Sequence, residues 1–423
     1  MNAQQRLAAA LGVLFLLVGP GQRTVASQTA QNPAASAPPQ SELSAARITF
    51  DYSTAPLWRN AALSDAAWAA FALGVDWGLD AATGDRVTTR STLGGTSRAV
   101  RWALLDVPMA WYTFVWTHEY GHKTRLEEDG LPARVVVQGT PWTGMTAFTQ
   151  TAVSLRNSTP AMYSSGIEGT DALLRRLDRR LFQSGTAHHA ELTAIFVATG
   201  MSLGYIQRDL SSGRVRHGGI FRETDPGDPT GYVITLARRR YGDPEVDQMR
   251  ELADDIRAGS WLNLLDYGLV TVGVGLFRDY LVRGERQAPV RWINLGGVSL
   301  APGLRYEMTP VGPERHVRSW IKIGPTISSA YVRWAEGDRE RLIGAGGEFR
   351  SPAVHDWQPG IMFDMWENPD GASGARFEAN AEWTASPGRW SLTFAVGGKT
   401  SGYLIGFPLE NGAYGSIGGA VRF

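Results

Sequence analysis

Cysteine is absent from the 423 residues, which excludes disulfides, thiolate metal ligands, cysteine nucleophiles and lipidation of an N-terminal cysteine. Net charge is missing too. The 41 basic side chains balance 41 acidic ones without long runs of either sign, so nothing offers nucleic acid an electrostatic footprint. Clean apolar runs are scarce: the long helical stretches each carry an acid, a base or a proline, such as Asp106 and Pro108, or Asp266. That favours burial within a compact helical domain over membrane spans. Histidine is rare, with seven in all, so the places where histidines fall are informative.

The chain opens with Arg6, an apolar stretch from Leu7 to Val18, the helix-breaking Gly19-Pro20 and small residues at Ala26 and Ser27. This layout predicts a cleaved secretory signal peptide over residues 1–27, with an apolar core too short to span a bilayer comfortably. Residues 28–46 are rich in Pro, Ala, Ser and Gln and predict a disordered linker. From 47 to 288 the periodicity is mostly helical, and several helices are apolar around most of their circumference. From 289 to 423 the period changes to two. In "ARFEANAEWTA" the residues Ala375, Phe377, Ala379, Ala381, Trp383 and Ala385 face one way, and Arg376, Glu378, Asn380, Glu382 and Thr384 the other. The fold class expected is therefore α+β, a helical N-terminal part followed by an antiparallel sheet.

Counting from Val290 gives about ten strands of bilayer-crossing length, separated by turn signals at Pro387-Gly388, Asn411-Gly412 and "ENPDG". A sandwich would hide one apolar face and use shorter strands, whereas here the second face is charged, as a watery lumen requires. Trp366, Trp383, Trp390, Tyr403 and Tyr414 are placed as interfacial girdles. The end, "YGSIGGAVRF", puts Ile417, Val421 and Phe423 on one face and resembles the closing strand of bacterial outer-membrane β-barrels. That resemblance implies a transmembrane barrel over the last third of the chain, lipid as a partner, and residence in a Gram-negative outer membrane.

The segment "WYTFVWTHEYGHKTRLEEDG" contains His118-Glu119-Tyr120-Gly121-His122. Residues four apart share a helix face, so both imidazoles can reach one metal ion. Glu119 lies about 100° round from His118 and can face a water there without taking a ligand position. Gly130 is the expected C-cap, and Lys123 can pair with Glu127. The acids Glu127, Glu128 and Asp129 oppose the helix dipole and call for basic partners, for which "RRLDRR" is a candidate.

This segment resembles the zincin metallopeptidases. The resemblance implies Zn2+ held by His118 and His122, Glu119 as general base, and a third protein ligand. Arg125 and Glu128 stand where a metzincin has glycine and histidine, so the gluzincin form is the nearer one. It implies Glu168 as third ligand, with Asp171 orienting an imidazole. Site-2-type intramembrane proteases supply a rival in Asn368-Pro369-Asp370-Gly371, but between alternating strands these letters read as a tight turn. His188, His189 and Glu191 are expected as solvated helix-start residues, since adjacent histidines diverge on a helix. The reading expected overall is a zinc metallopeptidase of the outer membrane acting on peptide bonds. Its alternatives are a structural or transport barrel with a helical plug, and a site-2-type intramembrane protease.

Overall fold

The computed structural model describes residues 47–83, 90–137, 144–148, 159–211, 227–335, 342–367, 373–385 and 390–422. The expected signal peptide and linker, Asn368-Pro369-Asp370-Gly371, Pro387-Gly388 and Phe423 lie outside them. Residues 46–423 form one compact unit, so the expected boundary at 288 separates helix from strand and not two bodies.

The helices are α1 (Pro56–Thr83), α2 (Thr92–Arg101), α3 (Val107–Glu128), α4 (Pro160–Ser184), α5 (His189–Ser211), α6 (Asp228–Tyr241), α7 (Val246–Ser260) and α8 (Gly268–Gly273). A π-helical turn, Trp102–Asp106, joins α2 to α3; a 3-10 turn, Trp261–Leu265, precedes α8 and a π-helical segment, Val274–Val282, follows it. Local chemistry sets the ends. Pro160 occupies the first turn of α4, where a missing N–H costs nothing, while Pro108 directly follows the π-helical turn in a helix that runs on from α2. Gly130 and Gly185 take the left-handed conformation just past α3 and α4, and the Leu131 N–H donates to the Leu126 carbonyl to close α3.

The strands are β1 (Arg47–Ser53), β2 (Ala133–Val137), β3 (Gly144–Phe148), β4 (Thr186–His188), β5 (Gln287–Pro289), β6 (Ile293–Leu295) and β7 (Val298–Thr309). They continue as β8 (Gly312–Ile323), β9 (Thr326–Ala335), β10 (Leu342–Arg350), β11 (Trp357–Glu367), β12 (Ser373–Thr384), β13 (Trp390–Lys399) and β14 (Gly412–Arg422). One antiparallel sheet of ten strands runs in the order β1-β14-β13-β12-β11-β10-β9-β8-β7-β6. Its tenth member comes from the other end of the chain: β1 places Tyr52 opposite Ile417 and Ile48 opposite Val421. Among the described residues the edge strands β1 and β6 share no ladder, so a closed cylinder, as expected from the strand pattern, is not what these hydrogen bonds make.

The sheet has its polarity inside out. On β12, Arg376, Glu378 and Glu382 are buried and Phe377 is exposed; on β11, Asp364 is buried while Ile361, Phe363 and Met365 are exposed. The charged face is covered by α4. Arg175 bonds Glu307 on β7 at 2.7 Å, Arg179 pairs with Glu348 on β10 at 2.8 Å, and Arg176 reaches Asp51 on β1 at 2.9 Å. One helix thus touches strands near both edges, so the sheet curls around it. The "RRLDRR" stretch is committed to this interior, not to the acids ending α3. Trp357, Trp383 and Trp390 cluster at one end of the sheet, with ring centroids 6.5 and 5.0 Å apart. Trp366 and Tyr403, expected in the same girdle, are instead buried beside the Arg333 guanidinium. Tyr414 also turns inward, donating to Glu378 at 3.1 Å.

Candidate metal centre

Helix α3 carries His118, Glu119 and His122, all buried. The spacing of four puts the two imidazoles over one another, with Nε2 atoms 3.3 Å apart. A third group arrives from α6: Asp228 Oδ2 lies 2.9 Å from His118 Nε2 and 3.0 Å from His122 Nε2. Asp228 is the first residue of its helix, with Pro229 behind it. The side chain of Asp209 accepts the Thr230 N–H at 2.8 Å and so anchors that turn. Tyr205 on α5 donates its hydroxyl to Asp228 Oδ2 at 2.9 Å and accepts the Asp228 N–H at 3.0 Å, fixing the carboxylate from both ends.

The second nitrogen of His122 lies 2.9 Å from the Met162 carbonyl, which can only accept, so Nδ1 carries the proton. In the neutral ring Nε2 is then bare, and its lone pair faces the carboxylate oxygen of Asp228. Two lone pairs at that separation repel unless a cation sits between them. A proton is one such cation: burial pulls the His122 pKa down, but Asp228, helped by Glu119, reverses this and raises it to about 9. Asp228 is correspondingly held well below the usual carboxylate range, its burial outweighed chiefly by His122. A dication is the other. Ligand atoms about 2.0–2.1 Å from a tetrahedral zinc lie about 3.3 Å apart, close to the separations seen here. Room for it exists because α4 passes with a glycine: a Cβ on Gly166 would stand 2.4 Å from His122 Nε2 and 2.5 Å from His118 Nε2. Among the described residues His118 Nδ1 has no hydrogen-bond partner.

Glu119 stands beside this trio, outside it. Thr146 on β3 lies 2.8 Å from Glu119 Oε2 with its hydroxyl, and the β2–β3 hairpin packs on α3 so closely that a Cβ on Gly144 would meet Glu119 Cγ at 2.6 Å. One carboxylate oxygen is therefore held while the group stays near His122.

Glu168, the expected third ligand, is not brought to the histidines. Its Oε2 accepts from Arg125 at 3.0 Å and its Oε1 from the Gly406 N–H at 3.0 Å; Asp228 takes the place assigned to it. The reason lies in helix geometry. Gly166 is the residue of α4 facing the imidazoles, and Glu168, two further on, points to a different side. Asp171 does not orient an imidazole either, since the charges around it are Glu307, Arg305 and Arg175, and burial with Glu307 raises its pKa. Asp228 escaped the sequence reading because "GYVITL" is rich in β-branched residues and α6 was not anticipated. The acid-proline pair at a helix start was the available signal.

His188 and His189 are buried and not solvated. His188 ends β4 and His189 begins α5, so the chain bends between them and both rings turn to Asp76, at 3.2 and 3.5 Å. Three ligand groups meet there, but Arg101 already pairs with the Asp76 oxygen that faces His189. The Ala190 N–H also points at His188 Nδ1, at 3.4 Å, which leaves the proton on Nε2. Asp76 is thus matched by a guanidinium, whereas the partners of Asp228 Oδ2 among the described residues are two imidazoles and the Tyr205 hydroxyl.

Compared with family models, curated proteins and solved structures, the chain matches none.

Proposed function

We propose that the protein is a zinc-dependent metallopeptidase of the bacterial outer membrane, with His118, His122 and Asp228 as metal ligands and Glu119 as general base. The observation that carries the reading is the convergence of two imidazole nitrogens and a carboxylate oxygen around a point from which a Cβ is missing, with a second carboxylate alongside. Zinc held there would polarise a scissile carbonyl and lower the pKa of an attacking water towards neutrality. The chain's own groups do the rest. Glu119 takes a proton from the water as its oxygen bonds to the carbonyl carbon, and returns it to the amine when the C–N bond breaks. Thr146 restrains the Glu119 carboxylate, and Tyr205 holds Asp228 in place.

The membrane reading is supported by the sheet, whose apolar residues point out and charged residues in, and by the Trp357, Trp383 and Trp390 cluster at one end. The test of the catalytic reading is Glu119→Gln in the purified, zinc-loaded protein. Peptide hydrolysis should vanish while zinc content stays at the wild-type level. Hydrolysis that survives this change ends the assignment.

A further inference from the structure

We infer that the outer faces of α1, α2 with its π-helical turn, and α5 are a lipid-contact surface that continues the apolar exterior of the sheet across the gap between β1 and β6. The inference rests on the membrane reading of the sheet and extends it to the helices.

The helices repeat the sheet's reversed polarity. On α1, the exposed residues between 61 and 78 are Leu63, Ala67, Ala70, Gly74, Trp77 and Gly78, while Asp65 and Asp76 are buried. On α2 and the π-helical turn, Leu93, Val100, Leu104 and Leu105 are exposed, Leu104 by 69%, whereas Arg98, Arg101 and Asp106 are buried, Asp106 completely. A helix bathed in water would turn those charges outward and those leucines in. The exposed hydroxyl of Thr96 donates to the Thr92 carbonyl at 3.0 Å, and Ser97 to Leu93 at 2.9 Å, so neither requires water. On α5 the outward residues are Phe196, Gly200 and Gly204, with the exposed Arg208 one turn further on, near the helix end. Phe196 packs on Trp102 and Phe277, with centroids 6.1 and 5.7 Å away, joining three helical segments into one aromatic surface.

Placement and size agree. Helix α1 lies along β1, while the 3-10 turn and α8 lie against β7, beside the opposite edge strand. The helices therefore stand between the two unpaired edges. The uncharged outer stripe from Leu63 to Gly78 rises about 24 Å at 1.5 Å per residue, most of the ~30 Å of a bilayer's hydrocarbon core. Charged pairs lie beyond it, with Asp80 on Arg286 at 2.7 Å and Arg90 on Glu285 at 3.4 Å. Among the described residues no single helix is long and apolar enough to cross a membrane alone, though one bent pair, Val246–Leu265 with Gly268–Val282, passes by length and composition. That is as expected when the inner face of each wall helix faces protein.

The native chain has no cysteine, so single cysteines can be introduced at Ala67, Leu104 and Phe196 on the helices, at Phe363 and Val396 on the sheet, and at exposed Asp247 as an aqueous reference. Nitroxide-labelled full-length protein in phosphatidylcholine–phosphatidylethanolamine vesicles is then probed with oxygen and a water-soluble nickel chelate. The expected result is that the helix positions share the high oxygen-to-nickel ratio of Phe363 and Val396, opposite to Asp247. Helix positions that behave like Asp247, while the sheet positions remain in lipid, overturn this inference and leave the sheet reading standing. Sheet positions that behave like Asp247 overturn both. Helix positions shielded from both probes, with spin–spin broadening, assign the surface to a second copy of the chain and also overturn it.

Discussion

Replacing Asp228 with asparagine keeps the shape of the side chain and removes its charge, which isolates what the carboxylate does for the two imidazoles. Its Oδ2 accepts from Tyr205 and lies within 3.0 Å of both Nε2 atoms. In the metal-free protein this contact lifts the His122 pKa from 6.5 to about 9 against a burial penalty of opposite sign, a net effect of about 3 kcal/mol. Loss of the charge should leave burial dominant, so that His122 titrates below 6.5. Zinc loses a charged ligand by the same change, and its affinity should fall by more than the roughly 10–100-fold that follows removal of a group merely supporting a ligand. Competition of the purified protein with a chromophoric chelator reads the affinity, and imidazole proton resonances read the titration. Glu168→Gln is the matched control: its carboxylate is bonded to Arg125 and Gly406, so it should leave zinc stoichiometry unchanged. Stoichiometric zinc in Asp228→Asn together with its loss in Glu168→Gln would refute the ligand set argued above.

Gly166→Ala should bring a Cβ to 2.4 Å from His122 Nε2, costing about 1–3 kcal/mol by overpacking and abolishing metal uptake, as read by zinc analysis beside circular dichroism. Chelator-treated protein should lose about 3 kcal/mol of stability between pH 6.5 and 9. A folded pKa raised above the unfolded one stabilises fully below the unfolded value and ceases to do so above the folded one. Zinc-supplemented protein should be flat over that window, which thermal unfolding in detergent can check. Asp65→Asn removes one of two acids from Arg180 and from Arg176, which bond Asp65 at 2.8 and 3.1 Å and keep Glu191 at 2.6 Å and Asp51 at 2.9 Å; the loss should be about 1.5–3 kcal/mol, and no measurable cost in urea unfolding would show that this interior is hydrated.

Part of this organisation was legible from residue spacing. His118, Glu119 and His122 belong to one helix, so a period of 3.6 suffices to bring them together. The strand alternation from Val298 onward likewise states its own two faces. What was hidden depended on contacts remote in sequence. Asp228 lies 106 residues from His122, and no periodicity links them. The role of β1 was hidden for the same reason: "RITFDYS" is too short to declare a partner, and its partner is the last strand. Trp366 was misjudged because position along a strand does not reveal which face an aromatic takes when a buried guanidinium offers it a cation–π contact, and Tyr403 because it lies in the connection after β13, which folds back onto Arg333. His188 and His189 were judged as neighbours on one helix, whereas a strand ends between them.

Helix α4 explains why a charged sheet interior and a candidate metal centre occur in one molecule. Its C-terminal half is fixed to the sheet by Arg175, Arg176 and Arg179, and to α1 by Arg180. Its N-terminal half supplies the Met162 carbonyl that sets the His122 tautomer and the Gly166 gap in which a cation fits. The crossing with α3 is made at backbone distance. A Cβ on Gly121 would strike the Ser165 carbonyl oxygen at 2.1 Å, and one on Gly169 the Thr117 carbonyl at 2.8 Å. Buried ion pairs contribute little net stability against apolar alternatives, but their directionality selects one register. A one-residue slip of α4 would replace Gly166 by Ser165 or Ile167 over the imidazoles and close the gap. The ion pairs along the sheet are made in the same register that keeps Gly166 over the imidazoles.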